Sequence, residues 1–102
     1  MTTLRRRYTT VDGKTDWVVS ATYDDTKLDT MHWFEARIKA VSEPGGKEYP
    51  FPPEIALYRI GEIEHTFRQY VAIDFAGDRE AAISHFMNTI YRRVYSYIER
   101  GH

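Results

Sequence analysis

Residues 78–100 repeat apolar positions at the spacing of an amphipathic helix. The apolar side chains fall within about 140° of arc on a helical wheel. They are Ile83, Phe86, Met87, Ile90, Tyr91, Val94, Tyr97 and Ile98. Asp78 is placed to cap the first turn, and Gly101 is placed to end the helix. Since so broad an apolar face needs a flat apolar partner, the pattern predicts a long helix lying on a sheet.

The N-terminal segment has the pattern of a β-hairpin. Asp12-Gly13 is a typical hairpin turn, and it separates two stretches rich in β-branched and aromatic residues, LRRRYTTV and TDWVVSATY. Because side chains alternate between the two faces of a strand, every second residue of the second strand lies on the same face. This set is Trp17, Val19, Ala21 and Tyr23. We expect it to face the core.

Residues 26–41, TKLDTMHWFEARIKAV, fit two structures. A helix is favoured by apolar residues three and four apart and by Thr26 and Asp29 as a capping pair. The sequence Pro44-Gly45-Gly46 would then end it. A strand is favoured by the alternation of apolar and charged residues from Phe34 to Ala40. We choose the helix on its end signals.

The following segments predict a loop and two strands. Residues 42–53 contain all four prolines and are predicted to be a loop. Residues 54–60, EIALYRI, and 66–75, TFRQYVAIDF, are predicted strands joined by a turn around residues 61–65. Ala76-Gly77 then leads into the C-terminal helix.

Together these elements predict one α+β domain over residues 1–102. Its antiparallel sheet has four to five strands, and the long C-terminal helix packs on one face. A shift of 53 residues aligns Asp25 with Asp78 and His32 with His85. If residues 26–41 are helical, the chain becomes ββα followed by ββα, which is a variant of the same class.

Composition narrows the function classes. The chain has 14 basic and 15 acidic residues, which argues against a strongly electrostatic nucleic-acid binder. It has no cysteine, which excludes disulfides, zinc–thiolate sites and thiol catalysis. There is no apolar run of the kind found in signal peptides or membrane spans. We expect a cytoplasmic protein that does not contact membranes.

Candidate catalytic and metal-binding residues are few. Glu62, Glu64, His65 and His102 lack the spacing of a metal site, so we expect no metal and no cofactor. An enzyme would need His32, Asp74 or His85 in a pocket beside a second polar group. The patterns place Asp74 and His85 at the surface, and no nucleophile turn or phosphate loop is present. A catalytic role is therefore not favoured.

Aromatic content favours a binding function. Aromatic residues make up 15% of the chain, which is more than a core of this size needs. Trp33 lies off the apolar stripe of the helical interpretation, and Tyr95 lies beside the apolar face of the C-terminal helix. Exposed aromatic side chains of this kind often form interfaces. We expect a homodimer that also binds a protein partner not identified by the sequence.

Arginine placement gives the alternative function, nucleic-acid binding. Arg5, Arg6 and Arg7 precede Tyr8, and Arg92 lies among tyrosines of the C-terminal helix. Arginine and tyrosine can bind phosphates and stack on bases. However, strand alternation separates Arg6 from Arg5 and Arg7. Nucleic-acid binding is therefore less favoured than protein binding.

Overall fold

A four-stranded antiparallel meander with helices on one face forms the architecture. The computed structural model describes residues 1–61 and 65–100. The strands are β1 (Thr2–Thr9), β2 (Asp16–Tyr23), β3 (Trp33–Glu43) and β4 (Leu57–Gly61), in the spatial order β1-β2-β3-β4. The helices are α1 (Pro53–Ala56), α2 (Phe67–Asp74) and α3 (Arg79–Glu99), and a 3-10 turn spans Leu28–Thr30. The α+β prediction with a long C-terminal helix is confirmed.

The predicted hairpin is confirmed. β1 and β2 pair without interruption from Thr2 opposite Tyr23 to Thr9 opposite Asp16. The Asp12 carboxylate accepts hydrogen bonds from the Thr10 hydroxyl at 2.6 Å and from the Lys14 amide at 3.0 Å. These bonds stabilise the turn at its tip. Val19, Ala21 and Tyr23 are buried as expected, and Trp17 is half-buried.

The helix predicted for residues 26–41 is wrong, because most of this segment belongs to β3. The apolar half of its alternation, Phe34, Ala36, Ile38 and Ala40, is buried. β3 lies between β2 and β4 and pairs with both, so its backbone groups are satisfied on two sides. The helical signals are limited to the 3-10 turn. Without this helix, the ββα repeat is not confirmed.

The strand predicted for residues 66–75 is also wrong, because residues 67–74 form α2. The Thr66 hydroxyl accepts from the Gln69 amide at 3.3 Å, and the Gln69 side chain accepts from the Thr66 amide at 2.8 Å. This capping box starts the helix. Phe67 and Val71, one turn apart, form its buried side. Similarly, the first residues of the strand predicted for 54–60 form α1, and only Leu57 onward is strand.

Helix α3 packs on the sheet as predicted. The Asp78 carboxylate caps it by accepting from the Ala81 amide at 3.1 Å. Seven of its side chains are buried: Ala82, Phe86, Met87, Ile90, Tyr91, Val94 and Ile98. The predicted stop at Gly101 lies outside the described residues, as do residues 62–64 of the predicted turn. Across residues 1–61 and 65–100, no helix has the length and apolarity needed to cross a membrane.

Candidate protein-binding surface

The helices cover one face of the sheet, and the other face carries charged side chains. On β3 the buried residues alternate with exposed or half-buried ones, so two opposite faces are defined. Five cationic side chains lie on the uncovered face, which we call the basic face. They are Arg5, Arg7, Arg37, Lys39 and Arg59.

Strand register brings these cations together. Arg5 pairs with Ser20, which in turn pairs with Lys39, so the two charged residues are two strand spacings, or about 10 Å, apart. Arg37 lies two residues along β3 from Lys39 and pairs with Thr22. Small side chains therefore separate basic ones at the centre of this face.

Carboxylates neutralise part of the basic face. Among residues 1–61 and 65–100, three ion pairs lie on it: Arg7–Glu43 at 2.7 Å, Lys39–Glu48 at 3.9 Å and Arg59–Glu35 at 2.6 Å. Within the part of the chain that the structure describes, Arg5 and Arg37 have no ion-pair partner. Both are exposed. The charges of Arg5 and Arg37 are therefore available to an acidic partner.

Trp33 lies at the end of this face, at the start of β3. It is half-buried, and the Arg59 guanidinium lies over its ring at 5.5 Å from the centroid. Its indole Nε1 is buried and has no hydrogen-bond partner among residues 1–61 and 65–100. Gly61 faces it across the β3–β4 pair.

The edge strand β1 contributes its other face to the contact with α3. The Arg6 guanidinium lies over the Tyr91 ring at 4.5 Å from the centroid. The Tyr91 hydroxyl, on a side chain only 1% exposed, donates to the Leu4 carbonyl at 2.7 Å. This contact ties the edge strand to the buried face of α3.

Replacing Tyr91 with phenylalanine tests this contact. The change keeps the ring in the core and removes the donor to the Leu4 carbonyl. We expect a loss of about 1 kcal/mol in the free energy of unfolding, measured by urea denaturation. Amide exchange in β1 should accelerate at the same time, because the edge strand loses its tie to α3. An unchanged unfolding midpoint would show that water replaces the hydroxyl at no cost.

A groove of about 300 Å³ lies between β1 and the first half of α3. Leu4, Ile83 and Met87 supply its apolar lining, and Arg6 and Glu80 supply charge. Leu4 is 37% exposed, although it is a large apolar residue. We call this cleft the β1–α3 groove.

The second half of α3 meets β1 through stacked tyrosines. The Tyr8 and Tyr95 rings stack with centroids 4.2 Å apart, and Tyr95 also stacks on Tyr91 at 5.8 Å. Glu99 accepts hydrogen bonds from the Tyr8 hydroxyl and, at 2.8 Å, from the Val11 amide. Burial, followed by the bond to Glu99, raises the pKa of Tyr8 to about 12. Burial also raises the pKa of Tyr91 to about 12, against the opposing effect of Arg6.

These shifts predict a loss of stability at alkaline pH. Below the ordinary tyrosine pKa of 10.0, both phenols are neutral in the folded and unfolded chains. Between pH 10.0 and about 12 the unfolded chain ionises first, so the free energy of unfolding falls as the pH rises. Phenolate absorbance should show Tyr8 and Tyr91 among the last tyrosines to ionise, and Tyr8→Phe should remove one late step. Ionisation of all eight tyrosines together near pH 10.0 in the folded protein would contradict this.

The structure brings only some of the predicted binding residues together. Arg5 and Arg7 share the basic face, whereas Arg6 and Tyr95 lie on the opposite face of the sheet, near Tyr91. Trp33 lies at the far end of the basic face. Arg92 is exposed on the side of α3 that faces away from the sheet, because its neighbours Tyr91 and Val94 are the buried ones. The separation of Arg6 from its two neighbours follows the predicted alternation.

The basic face also contains residues that the sequence analysis missed. Arg37, Lys39 and Arg59 were not predicted as binding residues. The helix chosen for residues 26–41 kept Arg37 and Lys39 off the sheet, and Arg59 was predicted only as part of a strand. Under the strand alternative, Glu35, Arg37 and Lys39 already lay on one side, so a usable signal was present.

The candidate catalytic residues do not form an enclosed site. His32, Asp74 and His85 are all exposed, and His85 packs its ring against Phe75 and Phe86. Among the residues with described positions, no three histidine, aspartate or glutamate side chains could hold a metal together. Glu62, Glu64 and His102 of the metal hypothesis lie outside the described residues.

No protein-family model matches the chain, and comparison with curated proteins and with solved structures gave no match. The function is therefore inferred from the chain's own residues.

Proposed function

We propose that this chain is a protein-binding module without catalytic chemistry, and that the basic face and the adjoining edge of β1 bind its partner. The observation that carries the proposal is the one-sided covering of the sheet. α3 buries one face, and the other presents five cationic side chains, of which Arg5 and Arg37 are exposed and without an ion-pair partner in the described structure. This charge suits an acidic protein surface.

Differential capture tests the proposal. The variant Arg5→Glu/Arg37→Glu reverses the two available charges and leaves the three ion pairs of the face intact. The control Arg92→Glu/Arg93→Glu makes the same change of charge on α3. Each protein is immobilised and exposed to the same host lysate. We expect the wild type and the control to retain the same acidic proteins and the test variant to lose them. Equal capture by all three would contradict the assignment of this face.

Self-association is the second part of the proposal. Tyr95 stacks on rings of its own chain, so the aromatic argument for a dimer now depends mainly on Trp33. Two β1 edges paired antiparallel would place arginine opposite arginine, which is unfavourable. A second copy would therefore need another surface, such as the edge of β4.

Light scattering on a sizing column measures self-association directly. A mass of twice 12.0 kDa would confirm it, and Trp33→Ala should then lower the dimer fraction. A mass of 12.0 kDa would contradict self-association and leave binding to a different protein. The predicted cytoplasmic location is tested separately, by cell fractionation.

Nucleic-acid binding is the alternative, favoured by the central cluster of Arg5, Arg37 and Lys39. Sheet surfaces that bind single-stranded nucleic acid also stack its bases on several aromatic side chains. On the basic face, Trp33 is the single aromatic residue among the described strand positions, because the other rings point to the core. Titration with a labelled single-stranded oligonucleotide at low salt tests this alternative, and its affinity should fall steeply with salt.

A further inference from the structure

We infer that the outer edge of β1 binds an extended acidic segment of another protein, which adds to the sheet as a further strand and places an apolar side chain in the β1–α3 groove. The inference rests on the proposed protein-binding function and specifies the chemistry of the partner.

The geometry of β1 suits strand addition. β1 has eight residues, pairs with β2 along its whole length without a bulge, and is an outer strand of the sheet. It contains no proline. A regular outer strand exposes unpaired backbone groups to which an extended chain can bind. By comparison, β4 has five residues and ends at Gly61, whose φ is +142°.

The charge of β1 selects against a second copy and in favour of an acidic segment. Arg5, Arg6 and Arg7 occupy its centre. If two β1 strands paired antiparallel about Arg6, each of these arginines would face another arginine, and like charges directly opposite are destabilising. Acidic residues in the same positions would convert each repulsion into an attraction. Arg5 is the strongest candidate, because it is exposed and has no ion pair in the described structure.

The β1–α3 groove specifies the residue of the acidic segment that lies opposite Leu4. A residue opposite Leu4 lies on the α3 side of the sheet, over the groove lined by Leu4, Ile83 and Met87. An apolar side chain there would cover the exposed part of Leu4. Glu80 also lines the groove, so an acid is disfavoured at this position. The Thr10 amide donates to the Thr15 carbonyl in the register of the β1–β2 pair, so the backbone groups of Leu4 face β2 and those of Arg5 and Arg7 face the open edge.

The inference therefore specifies a sequence pattern. The segment carries acidic residues opposite Arg5 and Arg7 and an apolar residue opposite Leu4. A fluorescent peptide as long as β1, with three consecutive glutamates followed by leucine and flanked by valine and threonine, is the probe. Two control peptides replace the glutamates with lysine or the central residue with proline, which cannot donate to the ladder.

Fluorescence anisotropy at low salt tests the inference. We expect the acidic peptide to bind wild type and Arg92→Glu equally, and Arg5→Glu about tenfold more weakly. The lysine and proline peptides should not bind, and amide chemical-shift changes should centre on residues 4–8. Ile83→Arg, which puts a charge into the groove lining, should weaken binding of the leucine-containing peptide more than binding of a peptide with serine at that position.

Several outcomes would overturn the inference. These are no binding by the acidic peptide, equal binding by the proline peptide, shift changes away from β1, or displacement of the peptide by a second copy of the chain. If the capture experiment on the basic face succeeds while the peptide fails, the protein-binding function stands and the β1 site is wrong. Tighter binding of an oligonucleotide at β1 would replace the inference with nucleic-acid recognition.

Discussion

Replacing Phe86 with alanine is expected to destabilise the protein by about 3–5 kcal/mol, the largest effect of any substitution considered. Phe86 is 5% exposed and lies where α2, α3 and the sheet meet. Its ring lies 5.6 to 6.4 Å, measured between centroids, from five other rings: Phe34, Phe67, Tyr70, Phe75 and His85. Truncation removes buried apolar surface and leaves a cavity that the sheet cannot close.

Urea denaturation followed by circular dichroism measures this effect. A domain of this size has a free energy of unfolding of about 5–15 kcal/mol, so the variant should lose about a fifth or more of its stability. Ile73→Ala is the control, because Ile73 is 64% exposed and its truncation should cost less than about 0.5 kcal/mol. Phe86→Leu, which keeps most of the volume, gives an intermediate value if the alanine variant fails to fold. Equal midpoints for Phe86→Ala and Ile73→Ala would refute the packing role.

Replacing Gly61 with alanine is expected to have the second largest effect. Its φ of +142° lies in a region that side chains rarely adopt, which alone costs about 1–3 kcal/mol. A Cβ atom at this position would lie 2.7 Å from Trp33 Cα and 3.1 Å from the His32 carbonyl oxygen. Because both are backbone atoms, the β3–β4 pair would have to separate to make room.

Gly45→Ala is the matched control for this prediction. Gly45 has no positive φ, and its nearest contact would be the Ser42 hydroxyl at 3.5 Å, an ordinary distance. In thermal unfolding we expect Gly61→Ala to lower the midpoint clearly and Gly45→Ala to leave it unchanged or slightly raised. A Gly61→Ala variant as stable as wild type would show that β4 tolerates a side chain there.

Local sequence signals predicted the secondary structure correctly in the segments whose pattern fitted one structure only. The hairpin followed from Asp12-Gly13 and the alternation of β2, and α3 followed from its helical spacing and the Asp78 cap. Both elements carry their own turn or cap residues. The buried faces of β2 and α3 were therefore predictable before any tertiary contact was known.

Tertiary contacts determined the secondary structure of the segments whose pattern fitted both a strand and a helix. Residues 33–43 alternate like a strand and also carry helical spacing, and pairing with two neighbouring strands selects the strand. Residues 66–75 alternate too, yet the capping box at Thr66 and Gln69 and the packing of Phe67 and Val71 on the core select a helix. The threonine–glutamine spacing was a local signal that the alternation obscured.

By itself, the sequence determined the α+β class, the first hairpin, the C-terminal helix and the separation of Arg6 from Arg5 and Arg7. The tertiary structure alone decided that Arg5, Arg37 and Lys39 form one surface and that Tyr95 stacks on Tyr8. The physical reason is the range of the interactions. Side-chain alternation and caps act over a few residues, whereas strand order and helix docking join residues far apart in the chain, and these long-range contacts determine which charges stay exposed.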